Sequence, residues 1–102
     1  MAGSSYKRIE AVVKTGHILK YLGNQKTPVN GLDIARAVGL PVGTTMCHLV
    51  SLAEHGFVRQ LSDGWELGLG LALIWARVKS NLEGQRDRVN RDIETISIKE
   101  EN

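Results

Sequence analysis

The side chains that a metal site or a nucleophilic centre would need occur together at Cys47, His48 and His55. Two histidines of one helix can bind the same metal ion when they stand at positions i and i+3 or i and i+4. His48 and His55 stand at i and i+7. A Cys–His nucleophile requires the imidazole to fold against the thiol, and adjacent helical residues diverge by about 100°. We therefore expect no metal site, no cofactor and no enzymatic activity.

These residues lie in a stretch, Asn30 to Leu69, whose pattern predicts two short helices followed by a hairpin. Asn30 is suited to cap the first helix, because its side-chain oxygen can accept a hydrogen bond from the backbone N–H of Asp33, whose carboxylate can reach back. Gly39 is expected to end this helix in a left-handed conformation, and Pro41 suits the start of the next. The apolar positions at helical spacing are Leu32, Ile34, Ala35 and Val38.

The second helix is expected from about Gly43 to His55, with Gly56 after it. Its inward stripe has the spacing i, i+4 and i+7 and consists of Thr45, Leu49 and Leu52. At about 100° per residue, the side that points away from this stripe carries Gly43, Cys47, Val50 and Glu54, flanked by Thr44, Ser51 and Met46. The N-terminal half of the exposed side is therefore small and uncharged, and in a helix-turn-helix that half enters the major groove of DNA.

A short antiparallel hairpin is predicted next. The β-prone runs Phe57–Leu61 and Trp65–Leu69 flank Ser62-Asp63-Gly64, and Asp-Gly between such runs is a strong hairpin signal. Pro28 favours an extended conformation of the residue before it, so we expect a very short strand at Thr27–Val29 that pairs beside the hairpin. The order of elements predicts a mainly α fold with a small β-wing, that is, a winged helix-turn-helix followed by a C-terminal helix.

A long helix is predicted on each side of this central stretch. The first runs from Lys7 to Leu22, and its buried stripe is expected to contain Ile9, Val12, Val13, Leu19 and Leu22, with Ile18 beside it. The second begins near Leu71, is too apolar at its start to be solvated all round, and has a candidate kink at Asn81–Gly84. We accordingly divide the chain into a disordered arm (1–6), a winged helix-turn-helix DNA-binding domain (7–70) and a linker or dimerisation helix (71–98).

The C-terminal helix carries a heptad-like apolar seam. Spacings of seven, four and three separate Leu82, Val89, Ile93 and Ile96, and charged residues lie between them. A single helix cannot bury such a seam, so it either folds back onto the domain or meets its copy in a dimer. We favour a homodimer, because a small protein that binds in the major groove gains most affinity when two copies bind two half-sites.

The sequence GLDIARAVGLPVGTTMCHLVSLAEHGFV, followed by WELGLGL, resembles the DNA-binding domain of IclR-type bacterial transcriptional regulators. The shared features are the A-x-x-x-G-L-P turn, the L-x-x-x-G-F-V exit and the L-G that closes the wing, and the resemblance covers roughly Val13 to Ile74. It implies sequence-specific binding of double-stranded DNA as a dimer. The chain departs from the family pattern at Val42 and Gly43, where a basic or hydroxyl residue is usual, and at Cys47, where an arginine is common. The effector-binding domain that usually follows has no counterpart in these 102 residues, so no small-molecule effector domain is expected.

Composition and charge fit a small DNA-binding protein. The formal net charge is +2, with seven basic and three acidic residues up to Ser62 and six basic and eight acidic residues after it. A basic front and an acidic tail fit a nucleic-acid-binding module joined to an interaction helix, although a chance asymmetry gives the same counts. The single cysteine excludes an internal disulfide, and no segment resembles a signal peptide or a membrane span, so we expect a cytoplasmic protein.

The candidate DNA contacts lie at the helix N-termini, along the exposed side of the second helix and at the start of the wing. Thr44 is the first choice, since its hydroxyl can serve a phosphate or a base, whereas His48 is divided evenly between half-buried packing and DNA contact. The full set is Asn30, Gly43, Thr44, Thr45, Cys47, His48, Ser51 and Arg59. The leading hypothesis is a small dimeric transcriptional regulator that places Gly43–His55 in the major groove and the wing on flanking backbone. The alternative is a winged-helix module that binds protein instead of DNA, which the missing basic residues favour.

Overall fold

The computed structural model describes residues 6–101, and this part of the chain divides into two compact units, with the boundary after Gly70. The elements are α1 (Glu10–Gly23), α2 (Gly31–Val38), α3 (Val42–Glu54), β1 (Val58–Leu61), β2 (Gly64–Leu67) and α4 (Gly70–Glu101). This order confirms the predicted fold class, a mainly helical winged helix-turn-helix followed by a C-terminal helix. Of the arm predicted at residues 1–6, residues 1–5 lie outside the described part, and Tyr6 is exposed.

The core of the first unit forms where α1, α2 and α3 meet the two-stranded sheet. Its buried apolar residues are Ile18, Leu22, Ile34, Val38, Leu49, Leu52, Val58 and Trp65. The inward stripe predicted for α3 is confirmed, because Thr45, Leu49 and Leu52 are the buried residues of that helix. Full burial of one leucine side chain contributes about 1.5–3 kcal/mol, so this stripe determines which side of α3 remains available to a ligand.

The stripe predicted for the first helix is wrong at its N-terminal end. α1 begins at Glu10, and Ile9 and Val12 are 67% and 63% exposed. The elements α2 and β2 pack against α1, whose buried residues are Ile18 and Leu22 in its C-terminal half. A helical repeat in a sequence indicates which residues share a side, but not how much of that side another element covers.

The turn between α2 and α3 forms as the sequence predicts. The Asn30 side chain accepts a hydrogen bond from the Asp33 N–H at 2.8 Å and caps α2. Gly39 ends α2 with a φ of 71°, a left-handed conformation that costs glycine little. Pro41 precedes the first residue of α3, and its carbonyl accepts the Thr45 N–H at 3.0 Å. The tight turn holds α3 at a fixed angle to α2.

The wing is a short antiparallel hairpin with a two-residue loop. Its strands pair with Leu61 opposite Gly64, so Gly64 begins β2 instead of belonging to the loop, and both strands are shorter than predicted. The short strand predicted beside the wing is confirmed at Val29, which exchanges backbone hydrogen bonds of 2.9 and 2.8 Å with Trp65. The Val29 backbone passes so close that a Cβ at Gly64 would lie 2.6 Å from its carbonyl carbon.

The second unit contains α4 from its second residue onward, and the whole helix has 32 residues. At about 1.5 Å per residue it is about 48 Å long. Every residue of Asn81–Gly84 is helical, so the kink anticipated there does not appear as a break. Its large apolar side chains are mostly exposed, with Trp75 at 62%. Within the described part of the chain, no helix combines the length and the apolar character that crossing a membrane requires.

Candidate nucleic-acid interface

α3 presents a continuous exposed surface on the side opposite its buried stripe. All four outward candidates from the sequence are exposed: Gly43, Thr44, Cys47 and Ser51. Val50, between the last two, is 53% exposed. We name this surface the α3 face and define it by Val42, Gly43, Thr44, Met46, Cys47, Val50 and Ser51.

Thr45 does not belong to the α3 face. Its side chain has no exposed surface, and its hydroxyl donates a hydrogen bond to the Pro41 carbonyl at 3.0 Å. Its backbone N–H donates to the same carbonyl. The candidate DNA contact at Thr45 is therefore wrong, because a residue of the inward stripe has no atom left for DNA.

His48 is held at the edge of the α3 face by α1. Its Nδ1 lies 2.7 Å from Thr15 Oγ1, and the Thr15 hydroxyl already donates to the Ala11 carbonyl at 2.9 Å. A hydroxyl has one hydrogen, so the Thr15 hydroxyl can donate to only one of these two partners, and when it donates to Ala11 the Nδ1 atom of His48 is the donor to Thr15. The imidazole is half-buried, and this contact favours the packing role of His48 over the DNA contact.

The two hydroxyls of the α3 face differ in what they can offer a ligand. The Ser51 hydroxyl donates to the Cys47 carbonyl at 2.9 Å, so only its lone pairs remain. The Thr44 hydroxyl makes no hydrogen bond within residues 6–101. Thr44 therefore keeps both its donor and its acceptor capacity for a ligand.

Two candidates outside α3 already have partners. Both polar atoms of the Asn30 side chain bind Asp33: Oδ1 accepts its N–H at 2.8 Å, and Nδ2 donates to its carboxylate at 3.2 Å. Arg59 lies opposite Glu66 in the hairpin, and its Nε donates to that carboxylate at 2.5 Å. This ion pair offsets the positive charge that we expected at a DNA phosphate.

The α3 face, as defined, carries no charged side chain. The outward side of the helix has one charge, the carboxylate of Glu54, which is exposed at the last residue of α3, beyond this face. Exposed lysines of the first unit lie instead at Lys7 before α1, at Lys20 in α1 and at Lys26 in the loop after it. The α3 face itself offers shape, a hydroxyl and apolar groups, so long-range attraction to phosphates must come from charged residues outside it.

The α3 face contains an apolar patch that the contacts predicted from the sequence did not include. Met46, Cys47, Val50 and Ser51 line an open depression of about 360 Å³. The sequence did place Val50 on the outward side, and that position was the available signal. An apolar side chain that points away from the core-filling stripe gains nothing on folding, so contact with a ligand is a natural role for it.

The cysteine and histidines of α3 and its C-cap do not converge. Cys47 is exposed, His48 binds Thr15, and the His55 ring stacks on Phe57 at a centroid distance of 5.5 Å. No group of three or more His, Cys, Asp or Glu side chains is placed to hold a metal ion within residues 6–101.

A family model described as the IclR helix-turn-helix domain matches residues 11–62, about half of the chain. The match begins in α1 and ends in the loop of the wing, so it contains α2, α3 and the whole α3 face. Neither a curated protein nor a solved structure matches the chain significantly.

Proposed function

Because the chain belongs to the family of the IclR helix-turn-helix domain, a DNA-binding regulatory domain, we propose that it is a small dimeric transcriptional regulator that recognises a specific duplex sequence. In this proposal α3 enters the major groove, and the wing contacts flanking backbone. The supporting observation is that the α3 face is exposed on a helix whose opposite side is buried in the core. A reading helix needs both properties, because it must project into a groove and keep a fixed angle.

The first turn of α3 suits contact with a phosphate. No side chain caps this helix, so the backbone N–H groups of its first residues have no partner within the helix. The helix dipole adds partial positive charge at the same end. Thr44, with its hydroxyl unengaged, stands in this turn and is the residue we assign to a phosphate or a base edge.

We assign the flanking contacts to exposed polar side chains of the wing. Gln60 and Ser62 are exposed in β1 and in the loop, and neither is charged. Arg59 is a weaker choice, because any phosphate would compete with Glu66 for its guanidinium. Arg59 is paired with Glu66 and Asp63 is exposed in the loop, so the wing carries one net negative charge. Its contacts with the backbone would therefore come from neutral side chains and add little to the salt dependence of binding.

Duplex binding across a salt series tests this function. Duplexes selected from a random pool would be labelled, and their affinity measured by fluorescence anisotropy between about 50 and about 200 mM salt. The slope of log affinity against log salt is about −0.9 per phosphate contact, so three lysines per protomer predict a slope between about −2 and −3 per half-site. Absence of binding to any duplex at low salt would reject the function.

The dimer is proposed from the apolar side chains of α4. Because this helix is unbroken from Gly70 to Glu101, the spacing seen in the sequence is preserved as one stripe along it. The seam residues Leu82, Val89, Ile93 and Ile96 are all at least half exposed. Exposure of a long regular apolar stripe is costly, and pairing with the same stripe of a second copy removes it from water.

The substitution Val89→Glu tests this dimer. It places a charge in the seam, and self-association measured by sedimentation should weaken by at least about tenfold. Ile98→Glu is the matched control, because Ile98 is 60% exposed and nine residues further along, about 180° around the helix. Equal effects of the two substitutions would contradict the proposed seam.

The second candidate function is a winged-helix module that binds a protein partner. The uncharged, partly apolar α3 face is the observation that favours it. The two functions differ in the response to salt: a protein partner held by apolar contacts would show little loss of affinity between low and moderate salt.

A further inference from the structure

The α3 face is apolar where most groove-reading helices are polar. Val42 and Val50 are 44% and 53% exposed, and Cys47 is exposed between them along the helix. Met46 is half-buried, so part of its side chain packs against the core and the rest belongs to the α3 face. Met46, Cys47 and Val50 share one open depression. In the orientation proposed above, these side chains rather than charged ones would meet the floor of the major groove.

The hydrogen-bonding groups that distinguish guanine and adenine are scarce on this helix. α3 contains no Arg, Lys, Asn or Gln, so it lacks the side chains that form bidentate contacts with those bases. The Thr45 hydroxyl is buried, and the Ser51 hydroxyl has already donated its hydrogen to Cys47. Thr44 is then the hydroxyl donor that remains on the α3 face among the described residues.

The one apolar group that a base pair exposes in the major groove is the 5-methyl group of thymine. We infer that the patch of Met46, Cys47 and Val50 reads sequence by packing against thymine methyl groups, so that the operator carries thymines at the positions under this patch. The inference rests on the proposed function and specifies what the α3 face recognises.

The dimensions of the patch fit this kind of recognition. Met46 and Val50 are four residues apart and therefore about 6 Å apart along the helix axis. Successive base pairs are about 3.4 Å apart, so the two side chains span about two base-pair steps. The patch can therefore cover methyl groups on two or three neighbouring base pairs of each half-site.

Deoxyuridine differs from thymidine only by the missing 5-methyl group, so it is the probe of choice. A duplex selected from a random pool would be synthesised with dU replacing one thymidine at a time, and affinity measured at fixed salt. Burial of one methyl group raises affinity about fourfold, so dU at a recognised position should weaken binding by about that factor. Replacement outside the selected core should change nothing.

A protein variant links the effect to this patch. Val50→Ser removes both methyl groups of the side chain and leaves a small polar group at an exposed position. In this variant the effect of dU at the base under Val50 should fall from about fourfold to near one, as coupling in a double-mutant cycle requires. Ile98→Ser, at a residue of α4 that is 60% exposed and about 180° from the proposed seam, should leave the dU effect unchanged.

The outcomes separate this inference from the proposed function. Binding that tolerates dU at every position, or a selected core without thymine, overturns the inference and leaves duplex binding standing. A dU effect that persists unchanged in Val50→Ser overturns the assignment to this patch. Absence of binding to any duplex overturns the proposed function, and the inference with it.

Discussion

The substitution Thr44→Glu separates DNA binding from every other role of the α3 face. Thr44 is exposed in the first turn of α3, so the new carboxylate would stand where we expect a phosphate. Two like charges about 4 Å apart repel by about 1 kcal/mol in water and about 4 kcal/mol near a protein surface. A repulsion of about 2 kcal/mol per half-site weakens binding about 30-fold, and the same repulsion at both half-sites of a dimer weakens it about 1000-fold.

Folding is not expected to suffer from this change. A glutamate in the first turn of a helix interacts favourably with the helix dipole, which contributes about 0.3–1 kcal/mol. The melting temperature of Thr44→Glu should therefore equal or exceed that of the unmodified protein. Loss of binding together with a stable fold would locate the effect in the interface and not in the core.

Fluorescence anisotropy with a selected duplex measures the effect, and Thr44→Gln is the control of equal size without charge. The glutamine variant should bind within a few-fold of the unmodified protein, and the defect of the glutamate variant should shrink as salt screens the repulsion. Binding by Thr44→Glu within threefold of the unmodified protein would refute the placement of α3 in the groove. The affinity for a protein partner, by contrast, would remain largely unchanged in this variant.

Three further substitutions or modifications test the geometry described above. Cys47 is exposed on the α3 face, so a saturating amount of a selected duplex should slow its alkylation by a maleimide at least about tenfold. An unselected duplex at high salt should not slow this reaction. Full reactivity of Cys47 in the complex would contradict groove binding. Asn30→Ala should destabilise the fold by about 1 kcal/mol in thermal unfolding, because it removes the side-chain cap on α2. Asn24→Ala is the control, since Asn24 caps α1 through its backbone N–H, which alanine keeps. Gly68→Ala should lower the free energy of unfolding by about 1–3 kcal/mol, because its Cβ would lie 2.3 Å from the Gly56 carbonyl oxygen. In Gly16→Ala the new Cβ meets nothing within 4 Å, so this control should stabilise α1 slightly. Equal stability of the two variants would disprove the close backbone packing at Gly68.

Local rules were sufficient for the elements of the first unit. The cap at Asn30, the left-handed Gly39 and the start of α3 after Pro41 depend on neighbouring residues alone, and the structure confirms all three. The buried stripe of α3 follows from helical periodicity, which is also local. The pairing beside the wing was anticipated from Pro28, but proline restricts Thr27 before it, whereas the bridge to Trp65 forms at Val29 after it.

The partners of individual polar groups were decided by the tertiary structure. The sequence placed Arg59 and Glu66 in facing strands, but only the register puts them directly opposite each other and pairs their charges. His48 was undecided between packing and DNA contact until Thr15 of α1 was found at 2.7 Å from its Nδ1. Contacts between residues far apart in sequence depend on how elements pack, which no local pattern encodes.

The sequence by itself thus determined the order of the helices and strands, to within about three residues at their ends, and which side of α3 faces outward, because these depend on short-range sterics and periodicity. Only the tertiary structure decided how much of each apolar side is covered. It left Ile9 and Val12 exposed at the start of α1, while Ile18 in the same helix is fully buried. Coverage depends on where neighbouring elements end in space, and the positions of those ends are set by packing over the whole unit.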